Sequence, residues 1–209
     1  MTDFAYNFPF VPASQSLVAN SGAANLPRSF IREAHPGDVA QLTELLASSF
    51  YHRTGWLYWA YPVIKLGIQE DLRQRIKGEK SNYLCLTALT STSEEAKIPV
   101  SPRMAGTVEV SQRQAWPWQG MSPHYAYVSN LAVAPGFRRR GIAGRLLATC
   151  ETLVLGWQLR DLYLHVMADN LPARRLYQKA GFHLCRSEET AATWLGLQPR
   201  RLLLHKPLT

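Results

Sequence analysis

The spacing of apolar residues along this chain changes several times, and each change marks an element. Residues 29–34, Ser-Phe-Ile-Arg-Glu-Ala, alternate as a strand does. After His35-Pro36-Gly37, Asp38 is placed to cap a helix whose apolar positions Val39, Leu42, Leu45, Leu46 and Phe50 recur at helical spacing. A second helix is expected from about Tyr61 to Ile76. Strands follow at Tyr83 to Ala88 and Ala105 to Ser111, with a Ser/Thr/Glu/Pro loop between them. A loop with Trp116, Pro117 and Trp118 leads into Tyr125 to Val133, which reads as a strand buried on both sides.

Beyond this the period lengthens. Pro135 and Gly136 break the strand, and Gly141 opens a helix with Ile142, Leu146, Cys150, Leu153 and Trp157 on one face. Leu162 to Met167 is a strand. Asn170 caps a short helix with Pro172 in its first turn, and Gly181 ends it. Phe182 starts another strand and Arg201 to His205 the last. The order β-α-α-β-β-β-α-β-α-β-β predicts a mixed sheet, because strand–helix–strand runs return as parallel pairs.

The 209 residues suit one domain with a hydrophobic core. There is no apolar run of about 18 residues, so no membrane span is expected. Residues 1–27 hold no Lys or Arg and read as a loosely ordered N-terminal arm, neither secretory signal nor transit peptide. Cys85, Cys150 and Cys185 are scattered, which fits a reducing, cytoplasmic setting and packing in the core. The histidines form no HxH or HExxH group, so no metal site is expected.

The net charge of +8 has a focus, because Arg138, Arg139, Arg140 and Arg145 lie beside Gly141 and Gly144. A buried strand stops, a basic turn follows, and a helix begins with small residues. The free N–H groups of a helix start and its dipole favour a phosphate, and Gly141, Ala143 and Gly144 let one approach the backbone. The plainer alternative is a solvated basic face. The stretch is neither a P-loop, which ends in Gly-Lys-Ser/Thr, nor a GxGxxG fingerprint.

Arg138-x-x-Gly141-x-Ala143, followed by Asn170-x-x-Ala173-x-x-Leu176-Tyr177-x-x-x-Gly181-Phe182, resembles the two motifs of the GNAT acetyltransferase superfamily. The likeness is detailed over about 125–183, and the element order extends it to roughly 29–206. Ser129-Asn130-Leu131-Ala132-Val133 and the ending 199–208 are similar to plastid-type GNAT enzymes and their cyanobacterial relatives. The resemblance implies an α/β (α+β) GNAT fold in one domain over 28–209. Its sheet would be mixed, mostly antiparallel and of about seven strands, flanked by about four helices, with a splayed parallel pair holding CoA.

It also implies an enzyme that moves the acetyl group of acetyl-CoA to a primary amine by direct attack in a ternary complex. The backbone of Leu131, Ala132 and Val133 would hold the pantetheine arm as an added strand. The amides of Arg138, Arg139, Arg140, Gly141, Ile142, Ala143 and Gly144 would hold the pyrophosphate. Asn170 and Ala173 would meet the cofactor across the splay, although Asn170 also serves as a plain N-cap. Tyr177 is the expected general acid, donating to the CoA thiolate as it leaves, against the alternative of a packing residue.

Many family members place Glu or His where this chain has Tyr127. The pair Tyr127 and His165 resembles the arrangement in some eukaryotic N-terminal acetyltransferases, where Tyr and His hold a water that takes the proton. A purely structural His165 stands beside that reading; Glu109 is a weaker candidate base, and His124, at a strand entrance, fits either role. The aromatics in 50–59 and 188–200 suit a protein or peptide acceptor better than a highly charged small-molecule amine, with packing under the helices as the alternative, and the plastid-type resemblance implies acetylation of an N-terminal α-amine or a lysine. No specific nucleic acid or membrane partner is expected, and the chain is expected to act as monomer or homodimer. The competing class is a non-catalytic GNAT module that binds acyl-CoA or a partner.

Overall fold

Seven strands make one sheet, in the order β1-β2-β3-β4-β5-β7-β6, in the computed structural model of the chain. The structure describes residues 29–50, 57–78, 82–90, 102–115, 121–189, 193 and 199–209. Within these the order is β1 (Ser29–Glu33), α1 (Val39–Phe50), α2 (Leu57–Lys77), β2 (Tyr83–Thr90), β3 (Arg103–Gln114) and β4 (His124–Val133). Then come α3 (Ile142–Gly156), β5 (Asp161–Met167), α4 (Leu171–Lys179), β6 (His183–Glu188) and β7 (Arg201–Pro207). Every pairing is antiparallel except β4 with β5. The mixed sheet and its four flanking helices are those expected.

The two faces of the sheet are covered differently. Ile142, Leu146, Leu147, Cys150 and Val154 of α3 pack on Val108, Val110, Ala126, Val128, Leu162 and Leu164, with Tyr177 and Phe182 joining from α4 and the turn after it. On the other face α1 and α2 bring Leu42, Leu45, Leu46 and Leu72 onto Cys85, Leu89, Met104 and Ala132. Farther along that second face Tyr125, Tyr163 and Leu203 form a small separate cluster. The sheet is thus filled on one side over most of its width, and on the other mainly under its first strands.

Several details depart from the sequence expectation. Asp38 does not cap α1. It ends a short 3-10 turn and reaches backward, accepting from the His35 N–H at 2.8 Å and pairing with Arg32 at 2.6 Å. Burial alone would raise its carboxyl, but Arg32 and His35 outweigh that and hold it below the usual range. Helix α2 begins earlier than expected and runs through Pro62; the proline has no N–H to give the carbonyl of residue 58, so the second turn lacks one helical hydrogen bond. Strand β4 is buried at Tyr125, Ala126, Val128 and Ala132, but only half-buried at Tyr127, Ser129, Asn130, Leu131 and Val133. Cys85 and Cys150 are core residues, whereas Cys185 is exposed. The arm expected over 1–27 and the tryptophan loop 116–118 lie outside the described residues.

Candidate active site

The gap in the sheet comes from two ladders that part company. Strands β4 and β5 pair only at Ala126 with Leu162, Tyr127 with Tyr163 and Val128 with Leu164. Beyond Val128, β4 stays with β3 while β5 stays with β7. A bulge accompanies the divergence. Glu109 faces Ser129 and Thr107 faces Ala132, so β4 carries one residue more than β3 over this interval. Asn130 lies in it with φ 51°, a conformation asparagine tolerates better than most residues. Its side-chain amide donates to Glu109 at 2.9 Å.

Ala134 N–H bonds Ala105 O on β3. Backbone groups alternate in direction along a strand, so those of Val133, and of Leu131 two residues earlier, face the opposite side, towards the gap. The Arg138 guanidinium donates to Val133 O at 3.1 Å. Gly106 keeps β3 close beneath: a Cβ there would lie 2.9 Å from Ala132 O and 3.2 Å from Ile142.

At the end of β4 the chain turns through Pro135–Phe137, Arg139 takes φ 63°, and Gly141 takes φ 77° as N-cap of α3. Arg145 N–H bonds Gly141 O, so the N–H groups of Ile142, Ala143 and Gly144 are those a helix start leaves without helical acceptors. A Cβ at Gly144 would meet no atom within 4 Å. Packing therefore does not demand glycine there, while an anion on the backbone would. Arg145 departs from the expected cluster: both its terminal nitrogens bond Ser29, each at 2.6 Å, tying α3 to β1.

Helix α4 is capped by Asn170, whose side chain accepts from Ala173 N at 3.2 Å. Tyr177 is its one buried residue, set edge-on to Phe182 with ring centroids 5.9 Å apart. Burial, and then the neighbouring Tyr127, push its hydroxyl up to about 12. Tyr177 is therefore a protonated donor at any physiological pH.

Tyr127 and His165 come together across the parallel pair, Tyr127 Oη lying 2.7 Å from His165 Nδ1. The Arg113 guanidinium sits 3.7 Å from the Tyr127 ring centroid. Burial raises the Tyr127 hydroxyl, with Arg113 and Arg201 opposing it. The second imidazole nitrogen, Nε2, is 2.9 Å from Glu188 Oε1. Glu188 escapes a reading of the sequence, because nothing local in Ser187-Glu188-Glu189 distinguishes it.

Glu109 is a different kind of carboxylate. It is 1% exposed, with one oxygen 3.0 Å from Arg75 and the other held by Asn130. His124 lies exposed at the start of β4. A cavity of about 170 Å³ between α2 and β2 is lined by Glu33, Arg75, Tyr83 and Cys85, none of them on β4 or β5. Among the described residues no cluster of side chains could hold a metal, and no helix is long and apolar enough to cross a membrane.

Residues 40–182 match the family model described as Acetyltransferase (GNAT) family. The chloroplastic GCN5-related N-acetyltransferase 10 of Arabidopsis thaliana is 34% identical over 128 residues, 59% of this chain and 49% of that protein. The chloroplastic GCN5-related N-acetyltransferase 4 of the same plant is 46% identical over 69 residues, 33% of this chain and 23% of its own length. The matches thus span half or less of these curated relatives. Among solved structures, Arabidopsis thaliana NAA60 in complex with a bisubstrate analogue superposes with a TM-score of 0.65 at 20% identity, covering 87% of this chain and all of that one. The same protein in complex with acetyl-CoA gives 0.63. The family match covers most of the chain and includes the divergent strand pair, the glycine-led helix and Tyr177: the chain belongs to the GNAT acetyltransferase family.

Proposed function

We propose that this protein transfers the acetyl group of acetyl-CoA to a primary amine of a protein or peptide, by direct attack in a ternary complex. The observation that carries this is a buried, protonated Tyr177 near enough to Tyr127 to feel its charge, with Tyr127 bonded to His165 across the strand pair that divides. An acid and a base are what an aminolysis of a thioester requires, one at the leaving sulfur and one at the attacking nitrogen.

The chain's own groups divide the work. The backbone of Leu131 and Val133 offers an added-strand edge to the pantetheine arm, with Ala132 between them. The first-turn amides of Ile142, Ala143 and Gly144 receive the pyrophosphate, with Arg138, Arg139, Arg140 and Gly141 in the turn before them. Asn170 and Ala173 frame the opposite side. His165, through Tyr127 or a water held by the two, takes the proton that an ammonium must lose before it attacks. Tyr177 donates to the departing thiolate.

The relatives' names say N-acetyltransferase and leave the acceptor open. Both aromatic segments expected to frame it, 50–59 and 188–200, fall largely outside the described residues. Tyr125, Tyr127 and Tyr163 around the base favour an extended peptide over a polycationic small molecule. Unpaired cysteines fit a reducing compartment that contains acetyl-CoA, either the cytoplasm or a plastid such as the relatives' names give. The test is turnover against three acceptor sets: peptides with free α-amines, α-blocked peptides with lysine, and small amines. A peptide acceptor is expected. Small amines alone turning over would overturn the acceptor class and leave the transfer chemistry standing.

A further inference from the structure

His165 is held at both ring nitrogens, and the two partners differ in kind. Nε2 faces the Glu188 carboxylate at 2.9 Å, and Nδ1 faces the Tyr127 hydroxyl at 2.7 Å. An ionised carboxylate only accepts, so Nε2 must carry the hydrogen. A neutral imidazole then has its lone pair on Nδ1, and Tyr127 must be the donor there. That leaves the lone pairs of the Tyr127 oxygen for a substrate ammonium or a water.

The fold places Glu188 there through an irregularity. Leu184 pairs with Leu204 but Arg186 pairs with Leu203, so Cys185 is one residue too many on β6. Opposed residues share a face of an antiparallel sheet. His165 opposes Leu203, Leu203 opposes Arg186, and Glu188 opposes Arg201 two residues farther along each strand. Counted from His183 without the extra residue, Glu188 would fall on the α3 side of the sheet, because a one-residue slip reverses every later side chain. The bulge brings it to the face of Tyr127 and His165.

We propose that Glu188 is a positioning residue of the base: its carboxylate fixes the Nε2–H tautomer of His165 and stabilises the imidazolium formed during transfer. This rests on the Tyr127–His165 reading above. The step balances. The substrate ammonium gives its proton, directly or through one water, to the Tyr127 oxygen, while the Tyr127 hydrogen passes to His165 Nδ1. Tyr127 ends as it began, the amine is neutral, and His165 carries the charge beside Glu188. The carboxylate orienting a histidine that serves a hydroxyl follows the logic of a hydrolase triad, with the hydroxyl relaying a proton instead of attacking. Among the described residues, the other charged groups facing the relay are Arg201 on β7, with Nε 3.9 Å from Glu188 Oε2, and Arg113 on β3, over the Tyr127 ring. Both cations oppose the imidazolium, and Glu188 is the anion that offsets them.

The test uses the full chain with acetyl-CoA and an acceptor peptide, comparing parent, Glu188→Gln, Glu188→Leu and His165→Ala. CoA affinity and melting temperature serve as folding controls. Both Glu188 variants should lower kcat/KM by about tenfold, less than the roughly 10²–10⁴-fold of losing the base itself. The acidic limb of the profile should move to lower pH in Glu188→Gln, because imidazolium forms less readily without the carboxylate. Histidine ring nitrogen NMR at neutral pH should show a single Nε2–H tautomer in the parent and a mixture in Glu188→Leu. If His165→Ala loses activity while both Glu188 variants keep the parental rate, limb and tautomer, Glu188 has no part in the relay. If His165→Ala also keeps the parental rate and profile, the Tyr127–His165 base falls and Glu188 falls with it.

Discussion

The two sides of the strand gap are built from different materials. On the α3 side the surface is backbone: first-turn amides of one helix, a glycine N-cap at φ 77°, and a strand edge a few residues earlier. On the opposite side it is side chains from separate strands, Tyr127, His165, Glu188 and Arg201, brought together by register and one bulge. A backbone surface recognises a constant ligand and depends on a short continuous segment. A side-chain surface can select protons and acceptors, but each member depends on a distant strand being in register. The first should therefore respond to substitution in affinity, and the second in rate and pH dependence.

The largest effect is expected where the two sides meet. Tyr177→Phe keeps the ring against Phe182 and removes the hydroxyl. It should lower kcat by roughly 10²–10⁴-fold with cofactor affinity held, read under conditions where chemistry limits the rate. Because its hydroxyl is raised to about 12, Tyr177 remains a donor through pH 10, where an ordinary tyrosine would be half ionised. The parent's kcat should not fall near pH 10 on its account. An unchanged kcat in Tyr177→Phe removes it from the chemistry.

Glu109 belongs to neither side of the gap, being buried between Arg75 and Asn130. Glu109→Ala takes the acceptor from the Asn130 amide and one of two carboxylates from Arg75, which keeps Asp71, and should cost stability, about 1–3 kcal/mol for the amide left without its partner. Activity per folded molecule should stay within about twofold; thermal melts beside kcat measure both. Loss of kcat at unchanged stability would make Glu109 the base instead.

Gly144→Asp probes the backbone side alone. The position has ordinary helical φ and no neighbour within 4 Å of a Cβ, whereas Gly141 would add strain at φ 77°. An aspartate in a helix's first turn favours the helix, so stability should hold or rise while its charge repels a pyrophosphate. Acetyl-CoA affinity should fall about tenfold, 1.4 kcal/mol. An affinity within twofold of the parent would move the anion elsewhere.

The same contrast explains what can be read from sequence. Gly141, Asn170, Pro172 and Gly181 act within one turn of themselves, so the starts of α3 and α4 are visible in the bare chain. Tyr127 and His165 are reached only through a resemblance. Glu188 is not reached at all, since its face depends on the extra residue at Cys185, which is set by pairing with a strand that begins only at Arg201. Asp38 reads as a helix cap because the pattern Pro-Gly-Asp before an apolar run is local, while its partner Arg32 lies on the preceding strand. Glu109 reads as a polar position on a strand, and its burial under Arg75 is a tertiary fact.

Transfer across this gap can be followed as thiol release from acetyl-CoA and acetylation of an α-amine peptide in the same reaction, for the parent and for Tyr127→Phe. The two products should appear one for one in the parent. Both should slow together in Tyr127→Phe while CoA binding is kept. CoA binding without acetylation of any amine by the parent, or equal rates in parent and Tyr127→Phe, would contradict it.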